Sequence, residues 1–152
     1  MRREERLFRF SDAEQEATFR SLSSLLEGEH DVAFAYIHGS FATGGAFHDI
    51  DLAVMLEDRQ PPKDASWRIL ELIADVEAAL AETQGESSPP VDVRALNEAP
   101  LGFCYHVLLR GRLIVSRDES LRTNWVVRTW SRYLDLKPLR DCALKEAMTS
   151  WR

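Results

Sequence analysis

Two aspartates separated by a single isoleucine begin an apolar run that reads Asp-Ile-Asp-Leu-Ala-Val-Met from position 49. Alternate residues of a β-strand point to the same face, so a strand over 49–56 places the carboxylates of Asp49 and Asp51 side by side. Two negative charges held this close raise each other's pKa unless a cation lies between them. Because apolar residues surround the pair, water alone does not compensate the repulsion. The pattern therefore predicts a buried strand with a divalent cation at its start.

A third aspartate, Asp92, lies between two valines in another segment typical of a strand, 91–96. If the two strands are neighbours in one sheet, the three carboxylates meet at one place. Hard oxygen ligands of this kind suit Mg²⁺, which completes its coordination with water and substrate phosphate. Two ions shared by Asp49 and Asp51 would hold the attacking and leaving oxygens of an in-line phosphoryl transfer. Asp92 would complete one metal site and accept the proton of the attacking group.

A Gly-Ser pair ends a further apolar run, 32–37, and precedes the acidic strand. Glycine allows the backbone to approach a phosphate closely, and a serine can donate both its hydroxyl and its backbone N–H, especially where a short helix begins. Gly39 and Ser40 are therefore predicted to bind the β- and γ-phosphates of a nucleoside triphosphate.

The rest of the chain predicts an α/β (α+β) domain, with a small mixed β-sheet covered by helices. Helix starts, helix ends and hydrophobic spacing predict helices from Ser11-Asp12 to Gly28, at about 64–83, at 101–109 and at 121–134, with a last short helix after Pro138 that reaches Met148. Strands are predicted at 32–37, 49–56, 91–96 and 112–115. We expect one domain over 1–152, with a catalytic core at about 30–97 and a C-terminal helical part at about 98–152.

Composition excludes several classes of protein. The 152 residues are 45% hydrophobic and 29% charged, which is typical of one globular domain. A net charge of −6 argues against nucleic acid as the main partner. The chain contains no apolar run long enough for a membrane span, and no signal peptide is evident. Cys104 and Cys142 lack metal-site spacing, so both are predicted to be buried, reduced thiols of a cytoplasmic protein.

The ordered set of Gly39, Ser40, Asp49, Asp51 and Asp92 resembles the nucleotidyltransferase superfamily of the DNA polymerase β type, in its minimal single-domain form. The segment 108–141, LLRGRLIVSRDESLRTNWVVRTWSRYLDLKPLRD, is similar to the C-terminal half of the MntA-type antitoxins that accompany HEPN-domain toxins. The resemblance thus covers most of the chain from about residue 32. The chain departs from the family pattern in the eight-residue loop before Asp49, which is shorter by two residues, and in His48, where serine is commoner.

The resemblance implies a nucleotidyltransferase fold and an Mg²⁺-dependent transfer of AMP from ATP to a tyrosine hydroxyl of a cognate HEPN toxin, which neutralises the toxin. It also implies a heteromeric complex with that toxin. In this reading Asp49, Asp51 and Asp92 are the metal-binding and catalytic residues, and Gly39 and Ser40 bind the nucleotide.

Two alternatives remain open at this stage, and a third is disfavoured. An aminoglycoside-type nucleotidyltransferase keeps the chemistry but modifies a small molecule, and it generally has an additional substrate domain. An antitoxin that acts by binding alone would keep the acidic site as a relic. The dipeptide His48-Asp49 also occurs in HD phosphohydrolases, yet those place it in an all-helical domain. The late aromatic residues Trp125, Trp130 and Tyr133 are predicted to pack in the core or an interface.

Overall fold

The computed structural model describes residues 6–57 and 65–150. The strands are β1 (Phe8–Arg9), β2 (Val32–His38), β3 (Ala46–Phe47), β4 (Ile50–Leu56), β5 (Val91–Ala95) and β6 (Arg112–Ser116). The helices are α1 (Asp12–Glu27), α2 (Gly39–Thr43), α3 (Ala65–Gln84), α4 (Leu101–Arg110) and α5 (Glu119–Thr149). A 3₁₀ turn at Gly85–Ser87 follows α3.

Four strands form the central sheet in the order β5-β4-β2-β6. β2 is antiparallel to both β4 and β6, whereas β4 and β5 run parallel. The parallel pair is possible because α3 lies between β4 and β5 in the chain and provides the crossover. β1 and β3 pair separately as a short antiparallel ribbon. The predicted mixed sheet is therefore confirmed, and the C-terminal part of the chain adds β6 to it.

Helices cover both faces of this sheet, as predicted. One face packs against α1 and α3 through a large apolar cluster that includes Leu22, Leu72 and Ile37. The other face packs against α4 and the first half of α5 through a smaller cluster built around Phe34, Tyr36 and Val107. The alternation of side chains along β4 assigns neighbouring residues to opposite clusters, whereas in β2 Ala33 and Phe34 share one cluster at an irregularity of the register.

The start of α1 follows the predicted signal closely. The Ser11 side chain accepts a hydrogen bond from the backbone N–H of Glu14, and the Glu14 carboxylate accepts one from the backbone N–H of Ser11. This reciprocal pair satisfies two N–H groups that would otherwise lack partners, and loss of such a cap costs about 1 kcal/mol. Gly28 follows the last turn, as predicted.

The predicted break at Pro138 is wrong, because α5 continues through it as one helix of 31 residues. Proline removes one N–H donor and crowds the carbonyl one turn earlier, at Leu134. Both positions lie on an exposed stretch, where water can bond the freed carbonyl. The flanking leucine, lysine, arginine and alanine residues favour helix, and they offset part of the cost of proline.

The same stretch corrects the prediction for the cysteines. Cys104 is buried in α4 and Cys142 is exposed on α5; both are free thiols. All residues from 134 to 150 are exposed in the part of the chain that the structure describes. Cys142 is therefore exposed, and its predicted burial is wrong.

No helix within residues 6–57 and 65–150 combines the length and the apolar character that a membrane crossing needs.

Candidate active site

Three strand ends meet at one edge of the sheet. His38 is the last residue of β2, Asp51 is the second of β4 and Asp92 is the second of β5. His38 is the register partner of Asp51, and Asp51 is the register partner of Asp92. Register partners in a sheet point to the same face, so these three side chains form a row on the face that α4 covers. The topology therefore brings Asp51 and Asp92 together although 40 residues separate them in the sequence.

Asp49 lies in the bend just before β4, not in the strand, because the strand begins at Ile50. It is nevertheless close enough to act on Asp51 electrostatically. We refer to Asp49, Asp51 and Asp92 as the acidic cluster.

The carboxyl group of Asp51 lies in surroundings that disfavour its charged form. Its pKa is raised to about 6, chiefly because burial disfavours the carboxylate, and then because Asp49 and Asp92 repel it; Arg94 opposes the shift. A divalent cation between these groups would relieve all three unfavourable contributions. Carboxylate oxygens are also the donors that Mg²⁺ prefers, so the residues present fit this ion.

The backbone of Gly39 lies directly against the side chain of Asp51. Its φ of +74° lies in the left-handed region, and a Cβ built on it would come 2.1 Å from Asp51 Oδ2. Sequence reasoning assigned this glycine to phosphate binding, but the structure gives it a second reason: only glycine leaves room for the Asp51 carboxylate. Ser40 follows in the first turn of α2, and its side chain is exposed.

Arg94 is the residue that sequence reasoning missed. Its Nε donates a hydrogen bond to Asp92 Oδ2 at 3.2 Å, and its guanidinium carbon lies 5.4 Å from the centre of the Phe103 ring of α4. Arg94 follows Asp92 by two positions in β5, so the period of a strand already places both on one face. That signal was available in the sequence.

The convergence of all three carboxylates on one ion stays a prediction. Across residues 6–57 and 65–150, no three Asp, Glu, His or Cys side chains stand in an arrangement that could hold a metal ion. Asp92 instead directs one carboxylate oxygen to Arg94.

His38 points into the fold beside the Gly-Ser turn, as predicted. It is buried, its ring meets Phe103 edge to face at 5.3 Å, and burial is the main cause that lowers its pKa. Its Nε2 has no hydrogen-bond partner among the described residues. His48 is exposed and its Nδ1 donates to the carbonyl of Arg6 at 3.2 Å. Because His48 precedes a strand in a mixed fold, the HD phosphohydrolase alternative is wrong.

The family model described as polymerase beta, nucleotidyltransferase, matches residues 20–120. This range is more than half of the chain and includes the acidic cluster, Gly39 and Ser40. The chain belongs to the polymerase beta nucleotidyltransferase family. The nucleotidyltransferase fold expected from the Gly-Ser and Asp-x-Asp pattern is thus confirmed.

Solved structures with the same fold include members of toxin–antitoxin complexes. One is described as tri-AMPylated Shewanella oneidensis HEPN toxin in complex with MNT antitoxin; it has a TM-score of 0.63 and 21% identity, over 88% of this nucleotidyltransferase and 98% of that chain. Another is a toxin–antitoxin structure with AMP-PNP, with a TM-score of 0.64 and 22% identity, over 86% and 98%. A third is the toxin–antitoxin MntA-HepT, with a TM-score of 0.61 and 21% identity, over 88% and 98%. No curated protein is significantly similar to this nucleotidyltransferase in sequence.

Proposed function

We propose that this nucleotidyltransferase is an antitoxin that transfers AMP from ATP to a tyrosine hydroxyl of a cognate HEPN toxin, and so neutralises it. The observation that carries the proposal is the half-buried Asp51, crowded by Asp49 and Asp92 and by the close approach of Gly39, in a fold of the nucleotidyltransferase family. The structures of an AMPylated toxin with its antitoxin and of a toxin–antitoxin pair with AMP-PNP support the choice of nucleotide and acceptor.

The proposed site has one group of residues for the metal ion and another for the phosphates of ATP. Asp49 and Asp51 would hold Mg²⁺ and Asp92 would complete one of its sites, while Gly39 and Ser40 would receive the β- and γ-phosphates of ATP. The ion, when bound, supplies positive charge that neutralises the phosphates and offsets the repulsion among the carboxylates. The glycine conformation also fixes the direction in which α2 leaves the sheet, and so sets where Ser40 presents its hydroxyl and N–H.

The transfer of AMP is then a single displacement at the α-phosphorus of ATP. The tyrosine oxygen forms a bond to the α-phosphorus of ATP, the bond between the α-phosphorus and the bridging oxygen breaks, and pyrophosphate leaves. Asp92 accepts the tyrosine proton on a carboxylate oxygen. With 44% of its side chain exposed, Asp92 is the member of the pair Asp51–Asp92 that an incoming protein can reach.

A protein partner is consistent with the surface of α5. Apolar side chains remain exposed along its second half: Leu134, Leu136, Leu139, Leu144 and Met148. Exposed apolar side chains in this number are available to a protein partner. We assign this surface to the HEPN toxin and place the complex in the cytoplasm, where free thiols such as Cys142 stay reduced.

The decisive experiment follows the label from ATP carrying ³²P at the α-position to the purified cognate toxin. Asp49→Asn and Asp51→Asn should each lower the transfer rate on the order of 10³-fold, because each removes charge stabilisation of the transferring group. Asp75→Asn, on the exposed side of α3 and away from both the acidic cluster and α5, is the matched control and should transfer label at the wild-type rate. Equal labelling by Asp51→Asn and wild type would refute the mechanism.

Neutralisation separates catalysis from simple contact. The triple variant Asp49→Asn, Asp51→Asn, Asp92→Asn should bind the toxin but leave it active. A toxin that this variant neutralises as well as wild type does would show that the antitoxin acts by binding alone.

A further inference from the structure

We propose that Arg94 changes partners during the reaction: in the nucleotide-free protein it neutralises Asp92, and when ATP binds it moves to the phosphates of the nucleotide. This inference rests on the proposed function, because it assigns a new residue to the same site. Arg94 is a positioning residue for Asp92 in the first state and a phosphate-binding residue in the second.

The position of Arg94 allows both contacts. It lies two residues along β5 from Asp92, on the same face as the side chains of Asp51 and Asp92. Its positive charge lowers the pKa of Asp51, and it is one of the charges that lower the pKa of His38. Arg94 therefore acts on both of these neighbours of Asp92. The Phe103 ring contact restrains the guanidinium near the site and can persist when the hydrogen bond to Asp92 breaks.

The present contact of Arg94 is weak enough to exchange. Its side chain is 62% exposed and that of Asp92 is 44% exposed, and ion pairs in such surroundings contribute little to stability. The bond to Asp92 is made by Nε alone at 3.2 Å. Phosphate oxygens accept from arginine in a bidentate, charge-assisted geometry, which is the stronger interaction. Arrival of the nucleotide therefore favours the exchange, and it frees Asp92 to accept a proton.

Other arginines near the sheet are committed elsewhere. Arg68 is held by Asp31 and Glu29 at 2.6 Å each. Arg122 bonds Glu119 at 2.7 Å and Ser116 at 3.2 Å. Arg117 donates to backbone carbonyls, among them that of Val32. Their partners lie away from the acidic cluster, whereas Arg94, among the described residues, contacts Asp92 and is thereby placed to meet a triphosphate there.

The proposal predicts effects of opposite sign in one variant. In Arg94→Ala the acidic cluster loses its competing cation, so Mn²⁺ alone, followed by electron paramagnetic resonance, should bind about threefold more tightly than to wild type. The same variant loses a charge-assisted contact to phosphate, so AMP-PNP with Mg²⁺, followed by calorimetry, should bind about tenfold more weakly. A merely structural residue would not move the two affinities in opposite directions.

Two further variants sharpen the test. Arg94→Lys keeps the charge but not the planar fork, so Mn²⁺ affinity should match wild type and AMP-PNP affinity should be intermediate. Arg112→Ala is the matched control, because Arg112 also pairs with an acid, Glu16, at 3.0 Å and also lies over a ring, Phe19, at 4.0 Å. Those contacts are on the opposite face of the sheet, where α1 packs, so both affinities should stay at wild-type values.

The outcomes distinguish this inference from the proposed function. Wild-type protein that binds neither Mn²⁺ nor AMP-PNP would overturn both together. Normal binding by wild type, with Arg94→Ala either unchanged or weakened toward both ligands, would overturn the role of Arg94 and leave the nucleotidyltransferase function standing.

Discussion

The acidic cluster and the second half of α5 both hold side chains in surroundings that suit them poorly, but in opposite senses. At the sheet edge, Asp51 keeps a carboxylate half-buried beside two other acids, which raises its pKa to about 6. On α5, residues such as Leu139 (67% exposed) and Met148 (77% exposed) keep apolar groups in water. The first region is suited to a cation and the second to an apolar surface. The contrast teaches that an unfavourable environment has two forms in this chain, a carboxylate removed from water and apolar groups left in it.

The two regions also differ in how firmly they are held. Strand pairing, Gly39 and α4 all restrain the side chains of the acidic cluster. Residues 134–150 are restrained by the hydrogen bonds of their own helix. Substitutions in the first region should therefore affect the whole fold, whereas those in the second should act locally.

The largest effect is expected at Gly39. Gly39→Ala forces a Cβ against Asp51 Oδ2 and places alanine at a positive φ, so the free energy of unfolding should fall by about 3 kcal/mol and label transfer should be lost. Gly85→Ala is the matched control, since its φ of +67° is similar but nothing lies within 4 Å of its Cβ. It should cost about 1 kcal/mol, by chemical denaturation, and leave transfer intact. Equal losses in both variants would show that Asp51 does not determine the choice of glycine.

A smaller effect separates the two halves of α5. Trp125 packs against Phe34 and Tyr36, with ring centroids 5.3 and 5.9 Å away, so Trp125→Ala should destabilise by about 2–3 kcal/mol. Leu144 is 53% exposed, so Leu144→Ala should change the unfolding free energy by less than about 0.5 kcal/mol. Thermal unfolding of both variants measures the difference. A large loss in Leu144→Ala would mean that the second half of the helix packs on the domain in solution.

The smallest expected effect is an increase in the free energy of unfolding, in the variant Asp51→Asn. Because folding raises the pKa of Asp51 from its ordinary value near 4 to about 6, the folded state binds the proton more tightly. The contribution of Asp51 to the free energy of unfolding is therefore greatest below pH 4, falls as the pH rises from 4 to 6, and is constant above. Asp51→Asn lacks this penalty and should be more stable than wild type by about 1 kcal/mol at pH 7.5, after allowance for the exposed half of the carboxyl.

Urea titrations at pH 4 and pH 7.5 test this sign. The advantage of Asp51→Asn over wild type should be present at pH 7.5 and shrink at pH 4. A variant that is less stable than wild type at pH 7.5 would show that the Asp51 carboxylate stabilises the isolated fold.

Much of the fold could be predicted because local patterns decide it. Short-range sequence preferences decide three features of the fold. These are the cap at Ser11, the glycine after α1 and the alternation of side chains along β4 and β5. The joint placement of Asp51 and Asp92 needed one further assumption, that their strands are neighbours, and the parallel register supports it.

The features that could not be predicted depend on tertiary packing, which the sequence pattern does not show. Periodicity could not show that α5 runs past Pro138, since an exposed helix tolerates a proline that a packed one would not. For the same reason the exposure of Cys142 was not foreseen. The contact between Arg94 and Asp92 depends on side-chain rotamers, and the two-residue strands β1 and β3 are too short to show a period.

That small ribbon links the beginning of the chain to the loop that leads into the acidic cluster. Phe8 pairs with Phe47 and stacks on its ring at 5.7 Å, while Phe10 meets Phe47 and Phe41 edge to face. Phe41 belongs to α2, directly after Ser40. A substitution that displaced the Phe8 ring would thus loosen the aromatic packing behind Gly39 and Ser40, at a distance from every carboxylate of the acidic cluster.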